Sequence, residues 1–146
     1  VINENDKKIL FPVDVIVSDE IKEDAETAAI PLRFLHPKLK ILDLGPKTIS
    51  MYQEILDNST TIVWNGPLGV IEYEPFLHGT ESIANFIAGK YSNTVVGGGD
   101  TLEALKKLHI STSRFTHLST GGGAMLEFLQ NGTLPGIEVI PKVWGV

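Results

Sequence analysis

Two stretches of the sequence carry the same pattern: VVGGGDTLEALKKL at residues 95–108 and HLSTGGGAMLEFL at residues 117–129. Each has a short apolar run, then three consecutive glycines, then the apolar spacing of an amphipathic helix. After its glycines the first copy places an acid and a hydroxyl, Asp100 and Thr101, whereas the second places Ala124. The repeated pattern indicates two neighbouring β-loop-α units whose loops differ in chemistry.

The same strand-loop-helix order runs through most of the chain. The expected strands are residues 9–17, 41–44, 61–64, 95–96 and 116–118. The expected helices are residues 46–57, residues 80–90 with Thr80 as N-cap, and one after each triple glycine, the second of which carries Met125, Phe128 and Leu129. Residues 20–38 give no clear pattern because Pro31 and Pro37 argue against a long helix. Residues 134–146 are expected to form a strand or an extended tail.

Short apolar strands, each followed by a helix, indicate a parallel sheet that is covered on both faces. We therefore predict an α/β fold: a doubly wound, mostly parallel, Rossmann-like sheet in a three-layer α/β/α arrangement, with residues 1–146 as a single domain. Ligands of such sheets bind outside the carboxyl ends of the strands. Every unusual loop falls at such an end, namely residues 43–45, 65–69, 97–100 and 119–123.

The composition is that of an ordinary globular chain, and it argues against several classes of function. The 146 residues include no cysteine, which excludes disulfides, thiolate zinc sites and a cysteine nucleophile. The net charge of −6 argues against binding to nucleic acid. A polar N-terminus predicts no signal peptide, and no stretch reaches the roughly 18 apolar residues of a membrane span. An anionic ligand would need backbone N–H groups or a metal ion to hold it.

The glycine loops have two interpretations. A strand-glycine-helix junction leaves helix N–H groups unpaired at the positive end of the helix dipole, which suits a phosphate. Alternatively, the glycines only permit tight turns where helices pack close to strands. Neither loop matches a P-loop or GxGxxG. Asp100 is either a helix cap or a ligand of Mg²⁺ on nucleotide phosphates, while Ala124 suits an anion that carries no metal.

Three motifs, in this order, closely resemble the C-terminal half of the phosphoglycerate kinase family. They are WNGPLGVIE at residues 64–72, GGGDT at residues 97–101 and STGGGA at residues 119–124. Flanking stretches also match, namely PVD at 12–14, LDLGP at 42–46 and LPG at 134–136. The similarity runs from about Ile9 to Ile140.

The resemblance implies reversible phosphoryl transfer between 1,3-bisphosphoglycerate and Mg-ADP, which gives 3-phosphoglycerate and ATP in cytoplasmic glycolysis. Asp100 would be the carboxylate linked to Mg²⁺. Gly121 and Gly122 would donate N–H groups to the phosphoryl group in transfer, so these three residues are the catalytic candidates. The other residues implied for the nucleotide are Gly98, Gly99, Thr101 and Asn65 at the phosphates, Ile41, Pro67, Leu68 and Val70 beside the base and sugar, and Glu72 at the ribose. Ile41 stands where the family has glycine.

The resemblance covers only part of the family's length. The N-terminal lobe that binds phosphoglycerate is not in this sequence, nor is the start of the nucleotide-binding lobe with its lysine-bearing loop. We therefore expect a fragment or isolated domain that is inactive alone, from a parent that is a monomer, with no nucleic acid or membrane partner. Two alternatives stay open: a non-catalytic Mg-nucleotide-binding or regulatory module without the substrate lobe, and a domain whose glycines serve packing only.

Overall fold

A computed structural model describes residues 8–140, which divide into two compact units. The first unit comprises residues 8–59 and 67–90. The second comprises residues 60–66 and 91–140. Each unit has its own three-stranded sheet and its own helices.

The first unit is built on an antiparallel sheet. Its strands are β1 (Asp14–Ser18), β2 (Ala28–Pro31) and β3 (Lys40–Leu44), and its helices are α1 (Pro46–Asp57) and α2 (His78–Ala88). The strand order is β2-β1-β3, and both pairings are antiparallel. Helices α1 and α2 pack on each other, α1 against β1 and α2 against β3. Their buried side chains include Ile49, Ile83 and Ile87, which form the core with Val15 and Phe76.

The second unit is built on a parallel sheet with the order β4-β5-β6. Its strands are β4 (Thr61–Asn65), β5 (Asn93–Gly97) and β6 (His117–Ser119), and its helices are α3 (Gly99–Lys107), α4 (Gly122–Asn131) and α5 (Pro135–Glu138). Helix α3 packs on β5 and buries Ala104 and Leu105, while Val96 fills the sheet side of this core. The predicted α/β class with a parallel sheet is confirmed in this unit.

The first unit departs from the expected parallel arrangement of its strands. Strand β1 begins at Asp14, later than predicted, because Pro12 interrupts the apolar run and cannot donate to a strand partner. A parallel crossover from β1 to β3 would need a helix, and residues 20–38 instead supply strand β2 and a 3-10 turn at Leu32–Phe34. The prediction of parallel strands is therefore wrong for β1 and β3.

Two local predictions about the helices are also wrong. Helix α2 begins at His78 with Leu77 as its N-cap, and the Thr80 hydroxyl accepts a hydrogen bond from Leu68 N–H instead of capping the helix. Residues 135–138 form α5, where Pro135 starts a helical turn, so they are neither strand nor extended tail. The rest of the predicted tail, residues 141–146, lies outside the described residues.

Several large apolar side chains of the second unit are exposed. On α4 only Met125 is buried, while Phe128 and Leu129 are 46% and 56% exposed. Val63 on β4 is 45% exposed. Among residues 8–140, no helix combines the length and the apolar character that crossing a bilayer requires.

Candidate functional site

The three parallel strands of the second unit end in one row. Asn65, Gly97 and Ser119 are the last residues of β4, β5 and β6, and the register pairs Asn65 with Gly97 and Gly97 with Ser119. Three of the four predicted loops are therefore brought together at this edge, as expected for a parallel sheet. The fourth, residues 43–45, lies at the end of β3 in the other sheet.

The two glycine loops pack directly against each other. Gly98 N–H donates to the Ser119 carbonyl at 3.0 Å, and Gly98 has a φ of +97°, which L side chains rarely adopt. A Cβ on Gly122 would overlap Asn65 Oδ1 and lie 3.0 Å from Gly98 Cα, and a Cβ on Gly97 would overlap the Met125 side chain. Packing thus accounts for the glycines at positions 97 and 122, and the positive φ accounts for Gly98.

Packing does not account for the two remaining glycines of interest. At Gly99 and at Gly123 an added Cβ would have no other atom within 4 Å, and neither residue has a positive φ. Both are exposed and lie in the first turn of a helix, α3 and α4 respectively. Backbone N–H groups of a first helical turn have no intrahelical acceptor. The open space beside these two residues leaves their backbone accessible to a ligand.

Asp100 and Thr101 have opposite environments in the first turn of α3. Asp100 is exposed to solvent. Thr101 is fully buried, and its hydroxyl accepts a hydrogen bond from Gly66 N–H at 2.8 Å. Thr101 therefore connects the loop after β4 to α3, while Asp100 is the acidic group presented at this edge.

The loop after β4 has a second anchor that sequence reasoning missed. Trp64 is buried, and its indole Nε1–H donates to the Gly66 carbonyl at 2.7 Å. Gly66 has a φ of +94°, so its backbone, held by Thr101 on one side and Trp64 on the other, requires glycine for its conformation. These contacts fix the turn that follows Asn65, whose Oδ1 lies against both glycine loops. A tryptophan at a strand end is the sequence signal that could have indicated such an anchor.

The carboxylate of Asp100 at this edge fits a metal ion that arrives with phosphates. Within residues 8–140 no group of three or more His, Cys, Asp or Glu side chains could hold a metal ion by itself. Mg²⁺ in nucleotide sites is commonly bound through one or two carboxylates, with phosphate oxygens and water completing its shell. Asp100, a single exposed carboxylate in the first turn of α3, matches that limited contribution.

The first unit contains a separate cavity that is lined by several of the residues predicted to lie beside the base and sugar. Its volume is about 410 Å³, within the usual range of small-molecule pockets. The lining residues are Pro12, Val15, Leu32, Ile41, Leu42, Asp43, Leu44, Pro67, Leu68, Gly69 and Val70. Ile41, Pro67, Leu68 and Val70 thus share one apolar cavity, whereas Glu72 is exposed and does not line it.

Asp43 is the acidic residue of this cavity, and sequence reasoning gave it no role. Its side chain is almost completely buried; Oδ1 accepts from Leu44 N–H at 2.8 Å and Oδ2 from Gly79 N–H at 2.7 Å. Burial raises the pKa of Asp43 to about 6, although the two N–H donors and the nearby His78 oppose that increase. An aspartate inside the apolar strand KILDL was the available signal.

The sequence profile of the phosphoglycerate kinase family matches residues 1–132. The chain belongs to the phosphoglycerate kinase family. It is 39% identical over 135 residues to the phosphoglycerate kinase of Rubrobacter xylanophilus, covering 92% of this chain and 34% of that protein. It is 44% identical over 133 residues to that of Pelotomaculum thermopropionicum, with 91% and 34% covered. The chain therefore spans about a third of the length of these kinases.

Solved phosphoglycerate kinases have the same fold over the matched part. The structure from Coxiella burnetii gives a TM-score of 0.80 at 43% identity and covers 88% of this chain and 32% of that one. The structure from Pyrococcus horikoshii gives 0.73 at 37% identity, with 87% and 31% covered. These values establish the α/β fold of a phosphoglycerate kinase for most of the chain.

Proposed function

We propose that this chain forms most of the C-terminal, nucleotide-binding lobe of a phosphoglycerate kinase. The reaction is the transfer of a phosphoryl group between 1,3-bisphosphoglycerate and Mg-ADP, which gives 3-phosphoglycerate and ATP. The observation that carries the proposal is the row formed by Asn65, Gly97 and Ser119, beyond which two helices begin with exposed glycines. The names and sequences of the relatives support the same reaction.

The phosphate-binding role falls to the loops of the second unit. Gly99 and Gly123 offer open backbone in the first turns of α3 and α4, where the helix dipole favours an anion. Gly98 donates its own N–H to Ser119, so its role is to let the backbone turn and to keep the loop free of side chains. Asn65 presents its amide beside these loops.

The two loops have different charges and therefore different roles. Asp100 would hold a Mg²⁺ ion that the nucleotide phosphates also ligate, and the ion supplies positive charge that neutralises the phosphates during transfer. Gly121 and Gly122 start α4, where Ala124 adds no negative charge next to the phosphoryl group. Backbone N–H groups fixed at this helix end stabilise charge on a phosphoryl group in transfer, since phosphoryl transfer depends mainly on positioning and charge neutralisation.

The nucleoside-binding role falls to the cavity of the first unit. Pro67, Leu68 and Val70 would contact the base and sugar, with Ile41 as an apolar neighbour in place of the family's glycine. Glu72 is exposed and would accept hydrogen bonds from the ribose hydroxyls.

Taken alone, the 146-residue chain should bind nucleotide without turnover. Phosphoglycerate would be bound by the N-terminal lobe of a full-length kinase, which we take to be a cytoplasmic monomer. The net charge of −6 on this chain is unfavourable for a second anionic substrate.

The proposal is tested by calorimetric titration of ADP into the chain, once in the presence of Mg²⁺ and once in its absence. Binding should depend on Mg²⁺, and Asp100→Asn should weaken it by about tenfold, because a charge-assisted contact contributes roughly 1.5 kcal/mol or more. The matched control is Glu103→Gln, since Glu103 is an exposed acid on the same helix, and it should bind like the wild type. Equal affinity with and without Mg²⁺, or equal losses in both variants, would contradict the assignment of Asp100.

A further inference from the structure

One wall of the cavity in the first unit is a short loop, residues 67–70, here called the wall segment. Pro67, Leu68 and Val70 line the cavity, yet the wall segment belongs to no helix or strand. Its position must therefore come from contacts with neighbouring elements. Such contacts decide whether the cavity keeps the shape that a nucleoside requires.

The wall segment is attached at both of its ends. Leu68 N–H donates to Thr80 Oγ1 at 3.0 Å, and Thr80 is fully buried near the start of α2. Val70 N–H donates to the Leu42 carbonyl of β3 at 2.9 Å. The wall segment is thus hydrogen-bonded to α2 on one side and to β3 on the other.

The middle of the wall segment rests on a carboxylate. A Cβ on Gly69 would overlap Asp43 and the Phe76 carbonyl, so Gly69 has no room for a side chain. Asp43 is itself fixed by Gly79 N–H, one residue before Thr80 on α2. The start of α2 therefore acts on the wall segment twice, directly through Thr80 and indirectly through Asp43.

We propose that Thr80 is a positioning residue for nucleoside binding, which it promotes by holding Leu68 in the cavity wall. Thr80 does not line the cavity, so its effect on a ligand must pass through the wall segment. This inference rests on the proposed function, because it takes the cavity to be the nucleoside-binding part of the chain. It assigns to a buried threonine on α2 a role that neither the glycine loops nor Asp100 can perform.

The test compares Thr80→Val with Thr80→Ser in the full 146-residue chain. Valine keeps the shape of threonine but removes the acceptor of Leu68 N–H, whereas serine keeps the hydroxyl. Calorimetry gives the Kd of Mg-ADP and of Mg-pyrophosphate, which has no nucleoside. We expect Thr80→Val to weaken the binding of Mg-ADP about fivefold or more, as the loss of one hydrogen bond does. The Kd of Mg-pyrophosphate should stay unchanged. Thr80→Ser should restore Mg-ADP binding to within about twofold of the wild type.

A general defect of folding would weaken the binding of both ligands together, and that result would overturn the inference. So would an unchanged Kd for Mg-ADP in Thr80→Val. A wild-type chain that binds neither ligand would overturn the proposed function itself, and this inference with it, so the two failures are distinguishable.

A second variant covers the case in which Thr80→Val does not fold. Gly69→Ala must displace the wall segment, because its methyl group would overlap Asp43 and the Phe76 carbonyl. It should raise the Kd of Mg-ADP and leave the Kd of Mg-pyrophosphate unchanged. Gly136→Ala is the control, since the space beside Gly136 is open. Equal Mg-ADP affinity in the two glycine variants would overturn the inference.

Discussion

Asp43 stays protonated up to a higher pH in the folded chain than an exposed aspartate does. Burial raises its pKa from 3.8 to about 6, so the folded state binds the proton more tightly than the unfolded state. The contribution of Asp43 to stability is therefore full below about pH 4 and is lost as the pH rises through about 6. The nearby titratable group is His78, whose positive charge opposes the shift.

We predict that the titration of Asp43 lowers the free energy of unfolding by an amount on the order of 2–3 kcal/mol between about pH 4 and about pH 7. In Asp43→Asn this part of the pH dependence should be absent, because asparagine does not titrate. Urea unfolding followed by tryptophan fluorescence measures it. Asp19→Asn removes an exposed acid and is the control. The same pH dependence in Asp43→Asn and in the wild type would contradict the account.

The positions of single residues were predictable from the sequence where a strand runs into a glycine-containing loop. Asn65 ends β4, and Gly98 and Asp100 come directly after β5. Such strand ends and glycine-containing loops can be recognised locally in a sequence. Thr80 and Asp43 were missed because their partners lie 12 and 36 residues away, at Leu68 and Gly79. Contacts over such separations depend on how strands and helices pack, which a local pattern does not encode.

Helix α1 begins against a carboxylate that comes from another element. Its N-cap, Gly45, has no side chain, and Asp14 of β1 instead accepts from Thr48 N–H at 2.7 Å and from Lys47 N–H at 3.1 Å. The Thr48 hydroxyl also bonds to Asp14, at 2.7 Å. A Cβ on Gly45 would overlap Asp14, so glycine here makes room for the cap. Asp14 thus joins β1 to the start of α1.

We predict that Asp14→Ala lowers the free energy of unfolding by about 2–4 kcal/mol, since it removes a helix cap and leaves buried donors unpaired. Burial pushes the pKa of Asp14 upward, but the hydrogen bonds from Thr48 and Lys47 outweigh it and lower the pKa. The stabilisation is accordingly complete above the unfolded-state pKa of 3.8 and is lost on further acidification. Urea unfolding at neutral pH tests this, with Asp19→Ala as control. Similar stability of the two variants would refute the capping role.

Elements were predictable in the second unit and only partly in the first. Strands β4 and β5 are each followed by a helix along the chain, and this order implies a parallel sheet. In the first unit, β1, β2 and β3 follow one another without a long helix between them, which allows antiparallel pairing. The absence of a helical pattern in residues 20–38 was the signal for that pairing. Helix α1 was correctly placed because Pro46 marks its first turn.

At the scale of the whole molecule, membership of the phosphoglycerate kinase family rests on a match to residues 1–132 and on relatives about three times as long. The three motifs that indicate the family are the loops after β4, β5 and β6, which the fold brings to one edge of a sheet. The sequence could predict this convergence because the carboxyl ends of parallel strands meet at one edge. The cavity of the first unit was not predictable in the same way, because its walls come from β1, β3, the 3-10 turn at Leu32–Phe34 and the loop between β4 and α2.

The central claim is that this chain binds a Mg-nucleotide, with its phosphates at the loops that start α3 and α4. The most direct measurement is an NMR titration of the 146-residue chain with Mg-ADP that follows the backbone amide signals. We predict large shifts at Gly99, Asp100 and Gly123, together with shifts at Leu68 and Val70 of the cavity. Mg-pyrophosphate should reproduce the first group alone. Saturable binding that shifts none of these amides, or no binding at all, would contradict the account.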